Sequence, residues 1–204
     1  MTLPVLGALR PWTDPTQLQI NRLPMRAPMA LGDDARRSLD GAWRFRLFDT
    51  PDDVPATAVT GPTPEVDGAW RSLTVPGNWT MQGTGDLPSY TNIQMPFPGP
   101  PPVLPERNPT GVYRRSFTVG RGWHSHRVVL HVEAAESVHA VYLNDELVGY
   151  GTDSRLPSEY DVTSLVRGGD NHLAIVVVRF SAHSYIEDQD HWWMAGLHRS
   201  VWIE

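Results

Sequence analysis

Three carboxylates, Glu187, Asp188 and Asp190, stand within four consecutive positions of YIEDQDHWWMAG, residues 185–196, and Trp192 and Trp193 follow them. Like charges this close repel by about 4 kcal/mol per pair at 4 Å in an effective dielectric near 20. A cation, an arginine or full exposure must relieve that repulsion. Asp and Glu oxygens with the Gln189 amide suit a hard cation such as Na⁺, Mg²⁺ or Ca²⁺, although the spacing is not that of an EF-hand loop. Alternatively, Arg155 or Arg199 neutralises one carboxylate while the others face water. Both readings stand on the residues alone.

A second stretch has polar groups suited to hydroxyl recognition. VPGNW, from Val75, and YTNI, from Tyr90, flank a glycine-rich GTGD loop. Asn92 offers both a donor and an acceptor, as a sugar hydroxyl requires, and an equally simple role as a turn or cap amide. Other chemistries are excluded. The chain contains no Lys, so it has neither a Schiff-base lysine nor a GxxxxGK[ST] phosphate loop. It contains no Cys, which removes disulfides, thiolate nucleophiles and cysteine zinc sites. No HExxH helix and no GxSxG elbow occurs. His131 and His139 sit at alternating strand positions and read as surface or satisfied core residues.

The elements that must hold these groups are strands. The chain has 204 residues, 40 % of them hydrophobic, enough for one large domain with a real core. Its net charge of −6 argues against a nucleic-acid partner, which needs a basic face. No apolar run approaches the length of a membrane span. MTLPVLGALRPW lacks the basic and apolar regions of a signal peptide, so the expected location is cytoplasmic. Residues 1–40 are broken by prolines and read as an extended arm. From residue 41 onward, alternation marks strands at Ala42–Phe48, Arg71–Val75, Val112–Val119, Arg127–Glu133, Val138–Leu143 and Glu146–Tyr150. Asn144-Asp145 is the tip of a hairpin. The run LAIVVVRF, Leu173–Phe180, predicts a central strand buried on both faces, and Arg199–Glu204 a last strand. Met95–Pro109 contains seven prolines and predicts a rigid extended loop. Only Ser158–Arg167 predicts a short helical turn. The set predicts an all-β jelly-roll sandwich over residues 41–204.

Several of these stretches together resemble one family. VPGNWTMQG, YTNIQMPF, ERNPTGVYRRSF, LVGYGTDSRLPSEYD and YIEDQDHWWMAGLHRSV, with TQLQINRLPMRAP in the arm, are similar to the N-terminal sugar-binding domain of family-2 glycoside hydrolases, most of all to bacterial β-galactosidases. The resemblance runs from about residue 11 to the end, with the motifs in the family's order. It implies a galactose-binding-type jelly roll that precedes immunoglobulin-like domains and a TIM barrel carrying two catalytic glutamates. Retaining chemistry needs two carboxyls roughly 5 to 5.5 Å apart. In the family those lie on the barrel, so no catalytic residue is expected here and the isolated chain is expected to be inactive.

By the same resemblance, Asn92 matches the asparagine that reaches into the active site and contacts the galactosyl unit. Asp190 matches the aspartate that helps hold sodium beside the galactose. Glu187 and Asp188 would organise the loop through backbone and arginine contacts. The family's magnesium ligands lie in the barrel. The implied partners are a β-galactoside, the remaining domains of a larger enzyme and further copies in a homo-oligomer. The arm runs along other domains in the family, so much of it is expected to be mobile without them. Trp193 stands where the family usually has arginine, and Asn144-Asp145 where Asn-Gly is common. A β-glucuronidase or β-mannosidase domain, an independent carbohydrate-binding module and a pure scaffold are the competing readings.

Overall fold

The computed structural model describes residues 3–26, 36–90 and 94–204. Its strands in chain order are β1 (Gln19–Ile20), β2 (Arg37–Ser38), β3 (Gly41–Phe48), β4 (Arg71–Val75), β5 (Gly77–Asn78), β6 (Ser89–Tyr90), β7 (Thr110–Val119), β8 (Val129–Val132), β9 (Val138–Leu143), β10 (Glu146–Gly151), β11 (Ser158–Asp161), β12 (Gly169–Val178), β13 (Trp192–Trp193), β14 (Gly196–Leu197) and β15 (Val201–Ile203). Seven form an antiparallel sheet in the order β1-β10-β9-β12-β7-β3-β4, and four form a second in the order β11-β8-β15-β2. Two short ribbons, β13-β6 and β14-β5, complete the set. The fold is the expected all-β sandwich.

The strand β12 explains the layering. It lies between β9 and β7, with Ile175 opposite both Val141 and Tyr113. Leu173, Ile175 and Val177 point into the space between the sheets, where Leu130, Val132, Tyr160, Val201 and Ile203 of the smaller sheet meet them. Ala174, Val176 and Val178 point the other way and belong to a second core. Successive strand residues face opposite sides, so an uninterrupted apolar run requires cover on both. Leu3, Leu6 and Trp12 supply part of the outer cover, with Val54, Ala58, Val59 and Trp70 from the connection between β3 and β4.

That outer cover changes the reading of the arm. The described residues 3–26 are not simply extended: Leu6–Leu9 is one α-helical turn and Pro11–Thr13 a 3₁₀ turn. Leu3, Leu6 and Trp12 are buried, β1 adds an edge to the larger sheet and β2 an edge to the smaller one. The apolar spacing was too short to predict a helix, but the sheet's exposed outer face gives these side chains somewhere to bury.

The turn expected over Ser158–Arg167 also divides differently. Ser158–Asp161 is β11, paired with β8, because Tyr160 enters the core. Asp161 then accepts from the Thr163 amide at 3.1 Å, and a turn follows in which Val166 N–H reaches Val162 O. The Asn144-Asp145 tip behaves as expected, with φ of 51° and 78°, the left-handed pair that a type I′ turn needs.

Close approach across β7 needs glycine. A Cβ on Gly111 would lie 2.6 Å from the Phe45 ring and 2.8 Å from the Trp79 ring. Phe45 packs edge-to-face on Tyr113 at a centroid distance of 4.8 Å, and Trp79 packs tilted against it at 6.5 Å. Trp79, fully buried, thereby anchors the chain that leads into the GTGD loop and β6. Both histidines singled out in the sequence are buried: His131 stacks on Trp202 at 3.6 Å, and His139 shares a hydrogen bond with the Tyr160 hydroxyl.

Candidate functional site

Ribbon β13-β6 brings the two sequence regions of interest together. Trp192 pairs with Tyr90 and Trp193 with Ser89. At its open side the Tyr90 hydroxyl donates to Asp190 Oδ1 at 2.6 Å. The charged acceptor favours the phenol over the phenolate, which raises the Tyr90 pKa. Tyr90, Trp192 and Asp190 are all exposed. Asn92 lies outside the described residues, as do Thr91 and Ile93.

A buried ion pair fixes this ribbon to the sheet. Arg179, the residue after β12, directs Nη1 to Asp86 Oδ1 at 2.6 Å, and both side chains are buried. Its Nη2 donates to Leu87 O and Ser89 Oγ, each at 3.0 Å, and to Trp193 O at 3.5 Å. Asp86 Oδ2 accepts from Trp79 Nε1 at 2.8 Å. Burial lowers the Arg179 pKa and Asp86 opposes that shift. An arginine in this position remains charged, because its reference pKa exceeds 12. One guanidinium therefore holds the GTGD loop, β6 and β13 in a single register.

A second polar chain supports the acidic stretch. Buried Glu136 accepts from Met194 N–H at 3.2 Å and from Arg155 Nη1 at 3.3 Å. Burial raises its carboxyl pKa, and Arg155 opposes the shift. Arg155 Nη2 reaches His191 Nε2 at 3.4 Å, while His191 Nδ1 sits 2.9 Å from Trp192 O. The carbonyl can only accept, so the imidazole carries its proton on Nδ1 and accepts at Nε2.

The carboxylates of the opening motif thus go separate ways. Glu187 turns inward and accepts from Ser154 N–H at 3.1 Å and from the Ser154 hydroxyl. Asp188 is exposed, and Asp190 is exposed on Tyr90. Arg155 is committed to Glu136, and Arg199 donates to Arg155 O at 3.0 Å. Divergence of Glu187 from the two exposed carboxylates relieves part of the repulsion, and the expected arginine contact to the cluster is replaced by serine. Glu187 thereby ties its loop to Ser154 in the connection between β10 and β11.

Among the described residues, no group of three or more His, Asp or Glu side chains converges in the manner of a metal site. Asp190 offers one exposed carboxylate, a donor suited to a hard cation but only a fraction of its shell. A groove of about 1000 Å³ lies elsewhere, lined by Leu23, Met25, Arg26, Trp123, Glu159 and Glu204 among others. Among the described residues, no helix is long and apolar enough to cross a membrane.

Tyr90, Asp86, Arg179 and Glu136 were not singled out from the sequence. A signal existed for two of them: Arg179 is the single charge in LAIVVVRF, and Asp86 is the acid of GTGD.

The two packed sheets define an all-β sandwich domain. Residues 36–204 match the model for glycosyl hydrolases family 2, sugar binding domain, and the chain belongs to that family. A β-galactosidase of Erwinia tasmaniensis is 39 % identical over 213 residues, covering 98 % of this chain and 20 % of the relative. One from Vibrio cholerae is 44 % identical over 168 residues, covering 82 % and 16 %. The chain thus spans about a fifth of the length of the curated relatives it matches. Among solved structures, a β-glucuronidase from Ruminococcus gnavus aligns with a TM-score of 0.63 at 18 % identity, over 89 % of this chain and 31 % of that one. A β-D-mannosidase from Dictyoglomus thermophilum aligns at 0.54 and 19 %, over 83 % and 22 %. At these identities the two structures establish the shared fold.

Proposed function

We propose that this chain is the non-catalytic N-terminal domain of a β-galactosidase, and that it lends Asn92 and Asp190 to a galactosyl site whose reacting carboxylates stand on a separate TIM barrel. The carrying observation is the Tyr90–Asp190 hydrogen bond. It ties the carboxylate from the EDQD motif to a residue two positions from Asn92, so one sugar could meet both. Relatives named β-galactosidase at 39 % to 44 % identity favour this reading over β-glucuronidase or β-mannosidase, whose named structures share only the fold.

Asp190 chemistry also fits a share of a sodium site, with the remaining oxygens supplied by the barrel. Sodium there would supply a fixed positive charge beside the sugar hydroxyls, and this chain's part is to hold the Asp190 carboxylate in place through Tyr90. Magnesium would bind wholly on the barrel. A homo-oligomeric, cytoplasmic enzyme completes the proposal.

The test is replacement of Asn92 or Asp190 by Ala in the intact enzyme. Loss of one hydrogen bond to a charged partner costs about 1.5 to 3 kcal/mol, so kcat/KM for a galactoside should fall roughly ten- to over a hundredfold. Unchanged kinetics in both variants would reduce the domain to a scaffold. The 204-residue chain alone should not cleave a nitrophenyl galactoside, and measurable turnover would overturn the division of labour.

A further inference from the structure

We infer that the groove on the outer face of the smaller sheet is the seat of the polypeptide that follows Glu204 in the longer enzyme, and that apolar side chains of that segment fill it. This rests on the reading of the chain as one domain of a longer protein, but it concerns a surface that reading does not use. The groove, of about 1000 Å³, is lined by no residue of ribbon β13-β6. Leu130, Val132, Tyr160, Val201 and Ile203 point into the core, so Val129, Glu159 and Glu204, which alternate with them, form the floor of the groove on the opposite face. One wall is the arm from Leu23 to Arg26, tied to β11 by the Leu23 N–H on Glu159 O at 2.8 Å. The other wall is the connection between β7 and β8, with Trp123, His126 and Arg127.

The outer face of a sandwich is ordinarily its polar, solvated side. Where the larger sheet is apolar on its outer face, Leu6, Trp12 and the β3–β4 connection cover it. The groove on the smaller sheet is apolar as well, with Leu23, Trp123 and Val129 lining it and Met25 left 50 % exposed. The direction of β15 names the occupant. Trp202 faces His131, Ile203 faces Leu130, and Glu204 and Val129 then exchange both backbone hydrogen bonds, at 2.9 Å and 3.0 Å. In antiparallel register the next two positions of the chain fall opposite Val128 and Arg127, along the groove wall. A polypeptide leaving Glu204 therefore starts inside the groove, at a high effective concentration. A small molecule or a second copy would have to share the space with it. The carboxylates of the floor are already served, since Arg26 meets Glu159 at 2.9 Å and Glu204 at 3.8 Å. What the occupant has to supply is apolar surface.

Methionine oxidation by dilute hydrogen peroxide, read residue by residue by mass spectrometry, tests this on the 204-residue chain and on the intact enzyme. Met25 should oxidise about tenfold more slowly in the intact enzyme, the slowing expected of a side chain covered for nine-tenths of the time. A benzophenone amino acid in place of Met25 should cross-link, in the intact enzyme, to residues shortly after Glu204. Met25→Asp should leave the thermal transition of the 204-residue chain unmoved, because the side chain is exposed there, and lower that of the intact enzyme. Equal oxidation of Met25 in the two proteins would overturn the docking. So would cross-links confined to a distant domain or to another subunit, or protection in the 204-residue chain that grows with its own concentration, the mark of a second copy in the groove. Galactosidase activity of the same intact protein is read separately: its absence would overturn the galactosyl-site reading, while Met25 would still decide the docking.

Discussion

Acid should weaken this sandwich through His139. The imidazole, on β9, is buried, and its Nε2 lies 3.0 Å from the Tyr160 hydroxyl of β11. Nδ1 is buried with no hydrogen-bond partner among the described residues. Charging the ring would place a second cation in a buried site, close to the Arg22 guanidinium. Burial first, and Arg22 second, push its pKa down to about 3. The unfolded chain binds that proton near the ordinary value of about 6.5, so stability is complete above that pH and falls as pH drops below it. The loss runs at about 1.4 kcal/mol per pH unit and reaches about 2 kcal/mol between pH 7 and pH 5. Urea unfolding at those two pH values measures it. His139→Gln retains an acceptor for Tyr160 and does not titrate, so its pH dependence should be smaller by that amount. His131 and His198 are shifted downward by burial as well and act in the same direction, whereas Glu136, shifted upward, acts in the opposite one. The difference between wild type and variant cancels all three. Equal losses in the two proteins would refute the placement of an uncharged His139 in the core.

Three other outcomes follow from the same structure. Asp86→Asn leaves the buried Arg179 without its counter-charge and should destabilise the fold by about 3 to 5 kcal/mol, read from the urea midpoint; a loss under about 1 kcal/mol would mean the pair is solvated. Gly111→Ala drives a methyl group into the Phe45 and Trp79 rings and should cost about 1 to 3 kcal/mol, visible as a lower thermal transition with the near-ultraviolet signal of the tryptophans altered. In the intact enzyme, Asp190→Asn should raise the sodium concentration needed for half-maximal galactosidase activity, and an unchanged sodium dependence would remove Asp190 from the cation site.

Much of the sandwich was legible because its physics is periodic. Trp43 and Phe45 alternate with arginines in β3, LAIVVVRF can only be a strand enclosed on both faces, and Asn144-Asp145 accepts the dihedrals of a tight hairpin. The ribbons that build the site were not legible. Two residues such as Ser89-Tyr90 or Trp192-Trp193 carry no period, and their pairing is imposed by Arg179 acting on Asp86, 93 positions away. The fate of the acidic cluster was equally hidden. Glu187 and Asp190 look alike in sequence, yet Ser154 draws one inward and Tyr90 holds the other at the surface. Asp190 was indicated by resemblance, not by any local pattern.

The helical turn and Trp12 that cover the back of the larger sheet carry a practical warning for anyone cutting the chain down to a minimal sandwich. Trimming before β1 would uncover a slab of Ala140, Tyr142 and Val176 wide enough to recruit other molecules. The shortened protein should then be harder to keep in solution, with its folding cooperativity blunted, even though no residue near Asp190 had been touched.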